Sequence, residues 1–128
     1  MWKRLQELAT GLFDSPNLPS RRPVVNEHNE SSIKGLYIIG DLAGAPVVKL
    51  AMEQGNDVAL HIAGKPDARG SDPDVLDLLV AGAGAAGLNA ALGAQERGLR
   101  VLVLEKNHIA STIEDFPEGK WVYAEPDS

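Results

Sequence analysis

Apolar positions along this chain change their spacing several times, and each change marks an element. Over residues 2–13, Trp2, Leu5, Leu8, Ala9 and Leu12 recur at helical spacing, which predicts a short amphipathic helix. Residues 15–32 are rich in Pro, Ser, Asn and charge, so 1–32 reads as that helix followed by an extended arm. The pattern changes at Ile33. Leu36-Tyr37-Ile38-Ile39 is an unbroken apolar run between Gly35 and Gly40-Asp41, which predicts a strand covered on both faces, as in a parallel sheet. After the Gly-Ala-Pro turn, Val47, Ala51, Gln54, Val58 and Ile62 step along one side of a predicted helix, with Glu53 and Asp57 on the other. Gly55 lies inside that helix at a cost of about 1 kcal/mol relative to Ala, so a close approach by a neighbouring strand or a ligand is expected there.

Residues 64–74 form a polar linker, and 33–63 before it is a strand-helix unit. A second buried strand is predicted over 75–81, a helix rich in Ala and Leu over 85–97, stopped by Gly98, and a third strand over 100–104 that closes on Glu105. The tail of this last unit, 75–128, holds a turn at 115–120 and a short alternating strand at 121–124, with Trp121 and Tyr123 expected to pack against the sheet. Alternating strands and helices predict an α/β fold: a Rossmann-like parallel sheet with flanking helices.

Between the second strand and its helix stands Gly82-Ala83-Gly84-Ala85-Ala86-Gly87. Glycines at this spacing arise by chance, but here a strand precedes them, a helix follows, and an acidic residue ends the next strand about 20 residues on. Gly82 lets the chain leave the strand sharply, Gly84 lets a pyrophosphate approach the backbone, and Gly87 lets the helix pack close to the sheet. The helix start offers the N–H groups of Ala85 and Ala86 to a diphosphate, and its dipole favours that charge. Glu105 is placed to accept hydrogen bonds from a ribose hydroxyl and would repel a 2′-phosphate, which disfavours NADP in this cradle. Asp41 follows a predicted strand directly. From spacing alone it either contacts a sugar or ribityl hydroxyl or caps the next helix, and the two stay open.

Composition narrows the classes. The 128 residues allow one modest core, and 44% hydrophobic with 23% charged residues is ordinary for a globular domain. Twelve basic against 18 acidic residues give a net charge of −6, the wrong balance for a nucleic-acid surface. Without cysteine there is no disulfide framework, Cys-based zinc site or Cys-x-x-Cys redox pair. No apolar run is long enough for an integral membrane segment and no signal-peptide core follows the basic start, so a cytoplasmic location is expected.

Two stretches resemble the flavoproteins with two dinucleotide-binding domains, the superfamily of thioredoxin reductase and related pyridine-nucleotide-dependent reductases. Residues 75–82 through Val103-Leu104-Glu105-Lys106 are similar to the family's amino-terminal FAD fingerprint. Gly35-Leu36-Tyr37-Ile38-Ile39-Gly40-Asp41 resembles its second FAD motif, and residues 43–55 look like the same region in bacillithiol-disulfide-reductase-like members. The resemblance implies FAD as cofactor, with Gly40 and Asp41 at the ribityl chain, Gly82, Gly84, Ala85, Ala86 and Gly87 at the diphosphate, and Glu105 at the adenosine ribose. Lys106, next along, either lines the adenosine pocket or is an ordinary surface lysine. The two motifs stand in reversed order, as in a circular permutation, and the family's NAD(P)H domain has no counterpart here. The expectation is therefore the FAD-binding portion of a flavin-dependent NAD(P)H oxidoreductase, an amino-terminal fragment of a longer enzyme. NAD(P)H would serve it only through a domain absent from this chain.

No residue stands out as catalytic acid, base or nucleophile. His28, His61 and His108 are scattered and lack partners at metal-ligand spacing. Ser111 and Thr112 offer only polarity near the diphosphate. Competing readings are a non-catalytic interaction protein that retains the fold and an NAD-binding module without flavin. An incomplete sheet leaves an open edge, which suits a homo-oligomer or a complementing chain.

Overall fold

A computed structural model describes residues 22–45 and 47–122. The amphipathic segment expected at 2–13 lies outside them, as do Tyr123 and Ala124. Five regular elements follow a 3-10 turn at Gly40–Ala43: α1 (Val48–Ala63), β1 (Leu78–Ala81), α2 (Ala85–Glu96), β2 (Val101–Leu104) and the single turn α3 (Ser111–Glu114). The expected helices fall within a residue or two of their place. The strands are shorter than expected, and Val75 and Leu76, before β1, are exposed.

β1 and β2 pair in parallel with Leu78 opposite Val101 and Ala81 opposite Leu104, joined through α2 in a βαβ unit. Inward residues of both strands meet the helices: Val58, Ala59, Ile62, Ala94 and Leu99 form the main core, with Leu78 and Val101 packed on it. Outward residues Leu79, Leu102 and Leu104 are exposed. The architecture is an incomplete Rossmann-like α/β unit, one helical layer on a two-stranded parallel sheet. Among the described residues no helix is long and apolar enough to cross a membrane.

α1 and α2 make the most extensive contact between any two elements. Gly55 explains how. A Cβ there would fall 2.2 Å from the Ala86 carbonyl oxygen, so the two helix backbones touch. The expected close approach exists, but its source is a helix, and neither a strand nor a ligand is required.

The run at 36–39 does not join the parallel sheet. Its N–H groups at Leu36 and Ile38 donate to the Ile33 and Asn29 carbonyls at 3.0 and 2.9 Å, and Ser31 N–H donates to Leu36 O at 2.8 Å. A tight hairpin with the preceding residues has claimed this edge, through antiparallel bridges Val25–Ser31 and Glu30–Tyr37. Tyr37 and Ile39 still pack on the helical core, so the segment lies in the sheet layer without being bonded to β1. The same hairpin corrects the reading of an extended arm, since residues 25–31 are bonded into it and the His28 ring stacks on His61 of α1 at 3.9 Å.

At the far end of the strands Asp77 and Arg100 clamp the linker. Arg100 donates from Nε to Asp77 Oδ2 at 3.0 Å and from Nη2 to Oδ1 at 2.6 Å, while Gly70 and Arg100 backbone N–H groups donate to the same carboxylate at 2.8 Å each. Arg100 also reaches the Gly70 and Asp72 carbonyls. The polar stretch at 64–74 is thereby held in place. No strand forms at Trp121, which is 84% exposed instead of packing on the sheet.

Candidate functional site

Both halves of the chain bring their Gly-containing turns to one end of the unit. β1 ends at Ala81, and Gly82, at φ +103°, turns the chain out of the strand in a region closed to most side chains. A Cβ at Gly87 would fall 2.0 Å from the Gly82 carbonyl oxygen, so α2 begins in direct contact with the turn. A Cβ at Gly84 would meet nothing within 4 Å. The space above Gly84 is open to a ligand. The sharp turn at Gly82 and the close packing at Gly87 are the geometry that the spacing assigned to these two glycines.

The first hydrogen bond of α2 runs from Leu88 N–H to Gly84 O at 2.9 Å, which leaves the N–H groups of Ala85, Ala86 and Gly87 without an intrahelical acceptor. They stand at the positive end of the helix dipole. A diphosphate fits such a cradle, since it needs donors and room for close approach.

The 3-10 turn brings Gly40 and Asp41 to the same place. Gly40, at φ +77°, lies so close to α2 that a Cβ would be 3.3 Å from that of Ala86. Its N–H donates to Gln54 Oε1 at 2.6 Å, a brace from α1 that the sequence did not reveal. Asp41 does not cap α1. The N-cap position is Val47, and no side chain caps that helix. Among the described residues no hydrogen bond or ion pair engages the Asp41 carboxylate, and Asp41 lines the cavity beside the glycine loop.

That cavity measures about 540 Å³. Gly40, Asp41, Gly82, Gly84, Ala85, Ala86 and Gly87 all line it, together with Thr112, Phe116 and Lys120. Of the nine residues expected to hold a cofactor, seven therefore line one cavity. Glu105 and Lys106 do not line it. Glu105 instead sits behind the glycine loop, where Oε2 accepts from Ala83 N–H at 2.7 Å and Oε1 from Asn107 N–H at 2.9 Å. The Ala83 bond, then the Asn107 bond, hold its carboxyl below the ordinary range. Lys106 is exposed.

The remaining candidates separate by position. Thr112 reaches the cavity and Ser111 does not. His108 pairs with Glu114 at 3.0 Å on the surface, away from the cavity. Among the described residues no group of His, Asp or Glu is arranged to hold a metal ion.

Comparison with known proteins agrees with the cradle. Residues 77–114, spanning β1, the glycine loop, α2, β2 and α3, match the family model described as an FAD binding domain. No curated protein and no solved structure matches the chain. The match supports a flavoprotein FAD-binding domain for this part of the sequence. It does not extend to residues 35–55.

Proposed function

We propose that the chain is the FAD-holding portion of a flavin-dependent NAD(P)H oxidoreductase, similar to the thioredoxin-reductase-like flavoproteins. One observation carries the reading. Asp41, whose carboxylate has no partner among the described residues, and Gly84, with its open backbone, line one cavity although they arise from separate units of the chain. An NAD site built on the βαβ unit alone gives no role to the Gly40–Ala43 turn, whereas a flavin carries a ribityl chain that suits a carboxylate there.

The chain's own share is binding and orientation. The N–H groups of Ala85, Ala86 and Gly87 face the diphosphate, Gly84 gives it access, and Asp41 accepts from a sugar-chain hydroxyl. Glu105 fixes the loop and has lone pairs left for the adenosine ribose beyond β2. Bound FAD supplies the hydride and electron chemistry. The NAD(P)H donor is served outside the described unit, which has one glycine loop of this kind.

Titrating FAD into the full 128-residue chain, read by flavin absorbance and fluorescence, tests the reading. Saturable binding is expected, weakened by Asp41→Ala for FAD but not for ADP, which has no ribityl chain. Equal loss for both ligands would favour an adenine-nucleotide module without flavin. Absence of binding for FAD and ADP alike would leave the fold without its cofactor and sink the proposal.

A further inference from the structure

The cavity has the donors a diphosphate needs but few full charges. Among the described residues on its wall, Asp41 is the only acid and Lys120 the only cation. A diphosphate beside Asp41 gains from a positive charge, and the loop after β2 is built to bring one.

That loop is pinned to the glycine turn. Ala110, in the left-handed region at φ 58°, donates its N–H to the Ala83 carbonyl at 2.9 Å. From there α3 and Phe116 run along the cavity, with Thr112, Ile113 and Phe116 on its wall. A turn with Lys120 N–H bonded to Pro117 O at 3.1 Å, and Gly119 at φ +81°, then returns the chain to the site. The Lys120 ammonium rests 3.7 Å from the centre of the Phe116 ring. Among the described residues no carboxylate pairs with it.

We propose that Lys120 is the cationic clamp on the diphosphate of the dinucleotide, parked on the Phe116 ring until that ligand arrives. The inference rests on the dinucleotide reading of the cavity. A ring face holds a cation weakly at an exposed site, so the ammonium can leave it for a phosphate oxygen without breaking an ion pair. The loop, tied to the glycine turn at one end and carrying its cation at the other, thus brings a positive charge to the cavity that the glycine turn lines.

The test compares the full chain with Lys120→Ala and Lys120→Arg, using FAD, ADP, adenosine and riboflavin as separate probes. Lys120→Ala is expected to weaken FAD and ADP about ten-fold, the loss of one charge-assisted contact, and to leave adenosine and riboflavin unchanged. Lys120→Arg should restore most of the affinity. Raising salt should weaken FAD binding less in Lys120→Ala than in the parent. Lys120 is exposed, so circular dichroism should show the fold intact. Unchanged FAD and ADP affinity in Lys120→Ala, with the parent binding both, would overturn the clamp alone. A parent chain that binds neither would overturn the clamp together with the FAD reading.

Discussion

Glu105 Oε2 accepts a 2.7 Å hydrogen bond from the backbone N–H of Ala83, 22 residues earlier in the chain. The acidic residue that ends β2 is thus tied to the glycine loop before any ligand arrives. One side chain braces the glycine loop from the end of β2. The bond also connects two elements that the parallel ladder holds only along their length, because it lies past the last ladder pair, Ala81 with Leu104.

Replacing Glu105 therefore has two consequences. Glu105→Ala should weaken FAD by more than about ten-fold, since the loop loses its brace as well as the ribose its acceptor. The readout that separates the two is hydrogen exchange without ligand. The Ala83 amide should exchange faster in Glu105→Ala, while amides within β2 stay protected. No change at Ala83 would mean that the loop holds its shape unaided. Because backbone donors depress the Glu105 pKa, the brace is complete above the ordinary carboxylate range and is lost only as pH falls through the depressed value. FAD affinity should show no Glu105 titration between about pH 5 and pH 8.

Gly55→Ala offers a test in which local and tertiary preferences disagree. Helix propensity favours alanine by about 1 kcal/mol. The added Cβ would sit 2.2 Å from the Ala86 carbonyl oxygen, which belongs to backbone and cannot swing aside. Overpacking of this kind costs about 1–3 kcal/mol, so the variant should be less stable in urea than the parent despite the better helix former. The displaced element is the first turn of α2, so FAD affinity should fall with stability. A more stable Gly55→Ala variant would mean that α1 and α2 separate easily.

What the sequence disclosed and what it withheld follow from the range of each signal. The 85–97 helix, the glycine turn and the 100–104 strand rest on neighbours in sequence, and the structure places them within a few residues of expectation. The run at 36–39 was legible as extended but not as to its partner, because four apolar residues fit a buried parallel strand and a hairpin arm alike. Asp77 with Arg100 and Gln54 with Gly40 stayed hidden, since each pair is brought together only by topology. Lys120 carried no motif. Its meaning comes from the turn that returns it to the cavity.

Acid stability should fall in two stages with different causes. His61 is held below its ordinary pKa by burial first, and then by the nearby charges of His28 and Lys65, with Glu30 acting the other way. The neutral ring is favoured in the fold, so this contribution is full above about pH 6.5 and declines below it as the unfolded chain takes up the proton first. Asp77 is held far below the usual carboxylate range, chiefly by the Arg100 side chain and then by its backbone N–H. Its contribution persists down to about pH 4 and is lost below that. Urea midpoints at pH 7.5, 5.5 and 3.5 check both stages. His61→Gln should flatten the first step and leave the second, and Asp77→Asn should lower the midpoint at every pH and shrink the step below about pH 4, leaving the part that the depressed Glu30 and Glu105 carboxyls contribute. A first step that survives in His61→Gln would assign it elsewhere.

The last prediction concerns the unbonded side of β1. Leu78 N–H donates to Arg100 O at 3.1 Å and Gly82 N–H to Leu104 O at 2.7 Å, so in a parallel ladder the even-numbered residues face β2. Leu79 and Ala81 must then turn their N–H and carbonyl groups the other way, toward the cavity. On its opposite wall Leu36 and Ile38 spend their groups on the hairpin, and Tyr37 and Ile39 face inward by the same alternation. Among the described residues nothing bonds either row. Hydrogen exchange should therefore alternate along each segment: Leu78, Gly82, Leu36 and Ile38 slow, Leu79, Ala81, Tyr37 and Ile39 fast. Added FAD should slow the glycine loop and leave Leu79 and Tyr37 fast, because a diphosphate at the loop offers no acceptor midway along a strand. Uniform protection across both segments would show that β1 and the 36–39 run bond one another in solution, closing the sheet that the isolated unit leaves open.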